Sequence, residues 1–189
     1  EEVLKKLYKD LEERKDQAGL EEDGFSYMYA MTYTEEIDPL DDFGYTFVDL
    51  TGTGYPALAI LRNDETPIVY DLFSQEDGNV KHIFSSAERD YFTLSGYEGT
   101  DFAAIHEHAS GGADLTEDNM FVLDPLKNEL NQQVSFLYDG RENAENPFAV
   151  SYYPFDTPEN LTQEEWIQRM ENFGQDRLFT LTAIASVEP

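Results

Sequence analysis

The chain has 189 residues, with 40 Asp and Glu against 12 Lys and Arg, a formal charge of −28 and a pI near 4.1. A field of that sign repels phosphate backbones and anionic lipid headgroups, which excludes nucleic-acid binding and electrostatic attachment to a membrane surface. With 40% hydrophobic and 14% aromatic residues, the whole length (1–189) suits a single globular domain, which at this size buries about 70% of its unfolded surface.

The acids are scattered rather than gathered in one block, the pattern of a solubilising surface rather than of a DNA mimic. Cysteine is absent, so disulfides, thiolate zinc sites and a cysteine nucleophile are excluded. No apolar run reaches the ~18 residues of a membrane-spanning helix. The chain opens on Glu1-Glu2 with neither an initiator methionine nor a signal peptide, so its start is expected to have been trimmed.

Taken in order, Val3, Leu4, Leu7, Tyr8 and Leu11 recur at helical spacing and Gly19 suits a stop, so residues 1–18 are predicted to form an amphipathic helix. Phe25, Tyr27, Tyr29, Met31 and Tyr33 alternate with smaller residues, the period of a strand with one aromatic face. That strand opens a meander predicted over residues 25–155. Residues 35–44, with Pro39 and several acids, read as a connection containing a helical turn.

Strand-like runs then flank Asp49-Leu-Thr51-Gly52-Thr53-Gly54-Tyr55-Pro56-Ala57-Leu58. This segment resembles the Asp-x-Asp-Gly-Asp-Gly-x-x-Glu-Leu loop of calcium-binding FG-GAP/VCBS-type repeats and of related uncharacterised lipoproteins from Gram-positive gut bacteria. The resemblance covers about ten residues squarely and the next fifty loosely. It implies an extracytoplasmic or envelope location, with a lipid anchor upstream as the only tie to a membrane. A calcium loop draws oxygens from positions 1, 3, 5, 7, 9 and 12 with Gly at 6. Counting from Asp49 puts Thr51, Thr53, Gly54, Tyr55, Ala57 and Ile60 at 3, 5, 6, 7, 9 and 12, so one carboxylate remains. The expectation is therefore a degenerate Ca²⁺ site that keeps its bend without metal. On that reading Gly54→Ala costs more than ~1 kcal/mol through lost positive φ, and Asp49→Asn matters little.

Residues 68–73 and 80–84 flank Glu76-Asp77-Gly78-Asn79, and residues 91–94 and 102–106 flank Gly96-Tyr-Glu-Gly99; both read as hairpins. Strands follow at 120–123, 134–138 and 149–155. Thr162-Gln-Glu-Glu165 is a capping box at the head of a helix over 162–173, with Trp166, Ile167, Met170 and Phe173 on one face and Gly174 at its stop. Residues 178–186 read as a closing strand. The fold class is α+β, a mainly antiparallel sheet, curved or in two layers, with amphipathic helices near both termini.

His106-Glu107-His108 is the sharpest chemical feature, because alternate residues of a strand share a face and two imidazoles there suit one Zn²⁺, Mn²⁺ or Fe²⁺. A third ligand is required, from His82 or an acid, and Ser110-Gly111-Gly112-Ala113 offers room for a substrate or a sharp turn. The cupin pattern of His-x-His, a close Glu and a later His is not met, since Glu117 comes too late and no His follows. The competing reading is two histidines bonded to neighbouring acids. No carboxylate pair stands out among 40 acids, and no Gly-x-Ser-x-Gly elbow or phosphate-binding glycine loop is present.

Tyr27, Tyr29 and Tyr33 are candidate ligand-stacking residues, or else the sheet face on which the helices pack. The function expected from these features is recognition of an unknown protein, peptide or glycan by a non-catalytic envelope domain with no cofactor. The alternatives are a transition-metal protein or enzyme centred on His106 and His108, and a calcium module at Asp49.

Overall fold

The structure, a computed structural model, describes residues 1–63, 68–76, 78–96, 99–153, 155–173 and 179–187, with 155 and 156 as backbone only. Asp77, the Tyr97-Glu98 pair, Gly174 and Leu178, used above to place turns and element ends, lie outside them. In chain order the elements are α1 (Glu2–Glu12), α2 (Gln17–Glu22), α3 (Met28–Met31), α4 (Pro39–Asp42), β1 (Phe43–Asp49), β2 (Pro56–Arg62), β3 (Ile68–Glu76) and β4 (Asn79–Ser85). Then come β5 (Asp90–Gly96), β6 (Ala103–Gly112), β7 (Leu115–Asp124), β8 (Glu129–Asp139), β9 (Phe148–Tyr152), β10 (Phe155–Leu161), α5 (Gln163–Phe173) and β11 (Thr182–Ala183). The protein is thus α+β and mostly antiparallel sheet. Its contacts gather into two compact units: Glu1–Val48, Pro56–Glu88 and Leu178–Pro189 in the first, Asp49–Tyr55 and Arg89–Arg177 in the second.

In the first unit the strand order is β4-β3-β2-β1-β11, with β4 antiparallel to β3, β3 to β2 and β11 to β1. Leu4, Leu7 and Leu11 of α1 are buried in one core with Leu20, Phe25, Tyr29, Phe43, Ile60, Tyr70, Phe73 and Ile184. The first helix is shorter than predicted. Arg14 adopts φ +49°, and Asp16 accepts the Gly19 N–H as the N-cap of α2, so a cap signal inside the expected helix starts a second one. Gly19 is consequently a helical residue rather than a stop.

The aromatic strand predicted over residues 25–33 is a correction. Met28–Met31 are helical, and Phe25 and Tyr29 are buried four residues apart while Met31 is exposed. Phe25, Tyr29 and Tyr33 satisfy helical spacing as well as alternation. Burial selects the helical option, because Tyr29 packs with Phe43 at 4.8 Å and Tyr70 at 5.0 Å between ring centroids. The closing strand predicted over 178–186 is also corrected. Among the described residues only Thr182–Ala183 pair with β1, at Tyr45 and Gly44, before Ile184–Ser186 turn as a 3-10 helix that buries Ile184.

The second unit is an up-and-down meander, β5-β6-β7-β8-β9-β10, with each neighbouring pair antiparallel. Helix α5 covers one face of it. Trp166 meets Phe148 at 5.5 Å and Phe136 at 6.2 Å, while Phe173 meets Phe136 and Tyr152. The head of α5 is the predicted capping box: the Glu165 N–H donates to Thr162 Oγ1, and Thr162 donates its N–H and Oγ1–H to Glu165 Oε2. Strand β10 lies outside the predicted set, and it contains Pro158, a residue disfavoured in central strands. Here it sits in the terminal strand of the unit beside a register shift, where a missing N–H is tolerated.

Candidate metal centre

Strand β6 places Ala104, His106 and His108 on one face and Ile105 and Glu107 on the other. The histidine face continues into Met120, Val134, Phe136 and Val150, the core under α5. The β6–β7 hairpin, folded at Gly112 with φ +117°, brings Asp118 directly opposite His108 and Met120 opposite His106. Asp118 therefore stands across from one imidazole and diagonal to the other.

The two rings reach it with different nitrogens. His108, being opposite, approaches Asp118 Oδ1 with Nδ1 at 2.7 Å; His106, on the diagonal, extends Nε2 to the same oxygen at 3.2 Å. The ring centroids of the two histidines lie 3.9 Å apart. His106 is 7% exposed, and His108 and Asp118 are partly open. One ligand atom from each of the three falls within 4.8 Å of the others. Burial pushes the Asp118 carboxyl up, but hydrogen bonds from His106 and His108 outweigh it and hold it down at about 2. Asp118 is therefore an anion at neutral pH.

Two imidazoles and one carboxylate on a common face are the donor set of borderline divalent ions. The separations to the shared oxygen, 2.7 and 3.2 Å, lie either side of the ~3.0 Å edge of an octahedron with bonds of about 2.1 Å and are shorter than the ~3.4 Å edge of a tetrahedron. Tyr91, opposite His108 on β5, stacks on its ring at 4.7 Å and 20°. Thr93 Oγ1, buried, lies 3.5 Å from His108 Nε2.

Glu107 faces away. Its Oε2 accepts from Asn119 Nδ2 at 2.8 Å, and burial raises its carboxyl more than that bond lowers it. Glu117 is on the same far side, accepting from Ser135. The acid grouped with the two imidazoles is therefore Asp118, which sequence reasoning did not name; the signal was an acid ten residues after His108 on the returning strand of a hairpin turning at Gly111-Gly112.

His82, expected as a possible third ligand, belongs to the first unit and bonds instead to the fully buried Asp71, Nε2 to Oδ1 at 3.0 Å. Ser85 Oγ donates to the same Asp71 oxygen and lies 3.2 Å from the same His82 nitrogen. A catalytic triad needs acid and serine on opposite imidazole nitrogens. These three share one, so they form a structural cluster, completed by the Ser26 N–H to Asp71 Oδ2.

Asp49 is consumed by its own loop. Its Oδ1 accepts from Thr51 N–H, Thr51 Oγ1–H and Gly52 N–H, and Oδ2 accepts from Gly54 N–H. Burial pushes its carboxyl up, but the Thr51 and Gly54 N–H donors outweigh it and lower it. Gly52 and Gly54 hold φ of +70° and +80°. This bonding accounts for the bend, and it corrects the view that Asp49→Asn is harmless, because an amide offers one acceptor oxygen where two are in use.

Tyr27, Tyr29 and Tyr33 do not form a stacking face. Tyr29 is fully buried, the Tyr33 hydroxyl is buried, and Tyr27 receives the Glu88 N–H at 3.4 Å. No protein family, curated protein or solved structure matches the chain.

Proposed function

We propose that the protein binds one first-row divalent metal ion through His106 Nε2, His108 Nδ1 and the Asp118 carboxylate. The convergence of both imidazoles on Asp118 Oδ1 carries this reading. Three protein ligands leave further positions for water or a small oxygen ligand. The charge of −28 supports it by raising the local concentration of cations. An envelope setting is part of the proposal and rests on the likeness of the Asp49 loop to that of the lipoproteins.

Untagged protein, stripped with chelator and titrated with Zn²⁺, Co²⁺, Mn²⁺ and Fe²⁺, is expected to take up one equivalent and to melt at a higher temperature by mass action. His106→Ala/His108→Ala and Asp118→Ala are expected to lose both effects. Wild-type protein that binds none of the four ions sinks the proposal.

A further inference from the structure

The ring of His108 stacks on Tyr91, with centroids 4.7 Å apart and planes 20° from parallel, while His106 meets it tilted at 41° and 3.9 Å, so the stacked contact that sets its plane is the one with Tyr91. Its two nitrogens point to different partners, Nδ1 to Asp118 and Nε2 toward Thr93 on the neighbouring strand. A separation of 2.7 Å between Nδ1 and a carboxylate oxygen places a ring proton between them, so the metal-free tautomer donates from Nδ1 and leaves Nε2 as an acceptor. A metal ion on Nδ1 requires that lone pair, so the ring proton must move to Nε2, which becomes a donor. A hydroxyl is the side-chain group that serves both states, donating to Nε2 in one and accepting from it in the other.

Resting on the metal reading above, we infer that Thr93 and Tyr91 of β5 are positioning residues: Thr93 accommodates the change of His108 tautomer that loading demands, and Tyr91 fixes the plane of the ring. Neither touches the ion. Thr93 is buried, so its hydroxyl is held in the interior beside Nε2 rather than turned to solvent.

The test is Co²⁺ affinity together with the visible ligand-field spectrum of the Co²⁺ protein, for wild type, Thr93→Val, Thr93→Ser, Tyr91→Ala and Tyr91→Phe, with the melting temperature of each apo protein recorded. Loss of an outer-shell partner of a ligating histidine weakens metal binding by about 10- to 100-fold. Thr93→Val and Tyr91→Ala are expected to fall in that range with altered spectra. Thr93→Ser, which keeps the hydroxyl, and Tyr91→Phe, which keeps the ring, are expected to stay close to wild type. Wild-type binding with Thr93→Val and Tyr91→Ala unchanged in affinity and spectrum overturns the inference and leaves the metal reading standing. Thr93→Ser as weak as Thr93→Val overturns the tautomer role, since the hydroxyl would then be irrelevant. Absence of Co²⁺ binding in wild type overturns the metal reading for this ion and the inference with it.

Discussion

Asp49 organises its loop by accepting four hydrogen bonds, three of them on one oxygen. Asn at this position turns its amide group toward a backbone donor, so Asp49→Asn is expected to lower unfolding free energy by about 1–2 kcal/mol, the scale of a lost cap. The two glycines separate strain from crowding. At Gly54 an added Cβ has no neighbour within 4 Å, whereas at Gly52 it comes 2.9 Å from the Phe102 ring. Gly54→Ala is therefore expected to cost about 1–2 kcal/mol for left-handed backbone alone, and Gly52→Ala distinctly more. Urea denaturation of the three variants checks the order, and equal costs for the two glycines would refute the role given to Phe102. The bend was legible because positive φ is written in glycine. The job of Asp49 was not, since the resemblance pointed its carboxylate at an ion rather than at four donors of its own chain. Likewise His106 and His108 were visible as a pair from spacing alone, but Asp118 joins them only through the register of β6 on β7, which local sequence does not print.

At the scale of elements, signals held where they were local and failed where two periods coincided. Thr162-x-x-Glu165 marks the head of α5 because both bonds of the box lie within four residues. Thr162→Ala is expected to destabilise by about 1 kcal/mol in thermal or urea unfolding, with Thr162→Ser close to neutral. A serine variant as unstable as the alanine one would show that the methyl group, not the hydroxyl, matters there. The Gly78 turn between β3 and β4 holds φ +83°, again a local signal. Residues 25–33 read equally well with period two or with period near four, and only the pocket formed with Phe43 and Tyr70 decides between them. The break between α1 and α2 was written in Asp16, a cap residue hidden inside an otherwise continuous apolar pattern.

Charge governs how the whole molecule responds to its solvent. At −28 the compact state is opposed by repulsion among its own carboxylates, which unfolding dilutes over a longer chain. Added monovalent salt shortens the screening length from ~10 Å at 0.1 M to ~3 Å at 1 M, so the melting temperature at pH 7 is expected to rise with NaCl. Acid acts in two stages. From pH 7 toward 5, early protonation of ordinary carboxylates relieves repulsion, and stability is expected to rise slightly. Below about pH 4 the sign reverses, because several acids titrate lower folded than unfolded. Asp23 is held at about 2 by hydrogen bonds from Lys15 and then Lys6; Asp124 is lowered by the Leu126 N–H, and Asp49 by its loop. A group with a depressed folded pKa contributes stability above its unfolded value, near ~3.9 for Asp, and loses it as pH falls through the folded value. Stability is therefore expected to drop steeply between about pH 4 and 2, and Asp23→Asn to flatten that drop while leaving the salt response at pH 7 nearly unchanged. Urea unfolding at fixed ionic strength across pH 2 to 7 measures both stages. A profile that keeps rising to pH 2 would mean that self-repulsion outweighs every one of these local bonds.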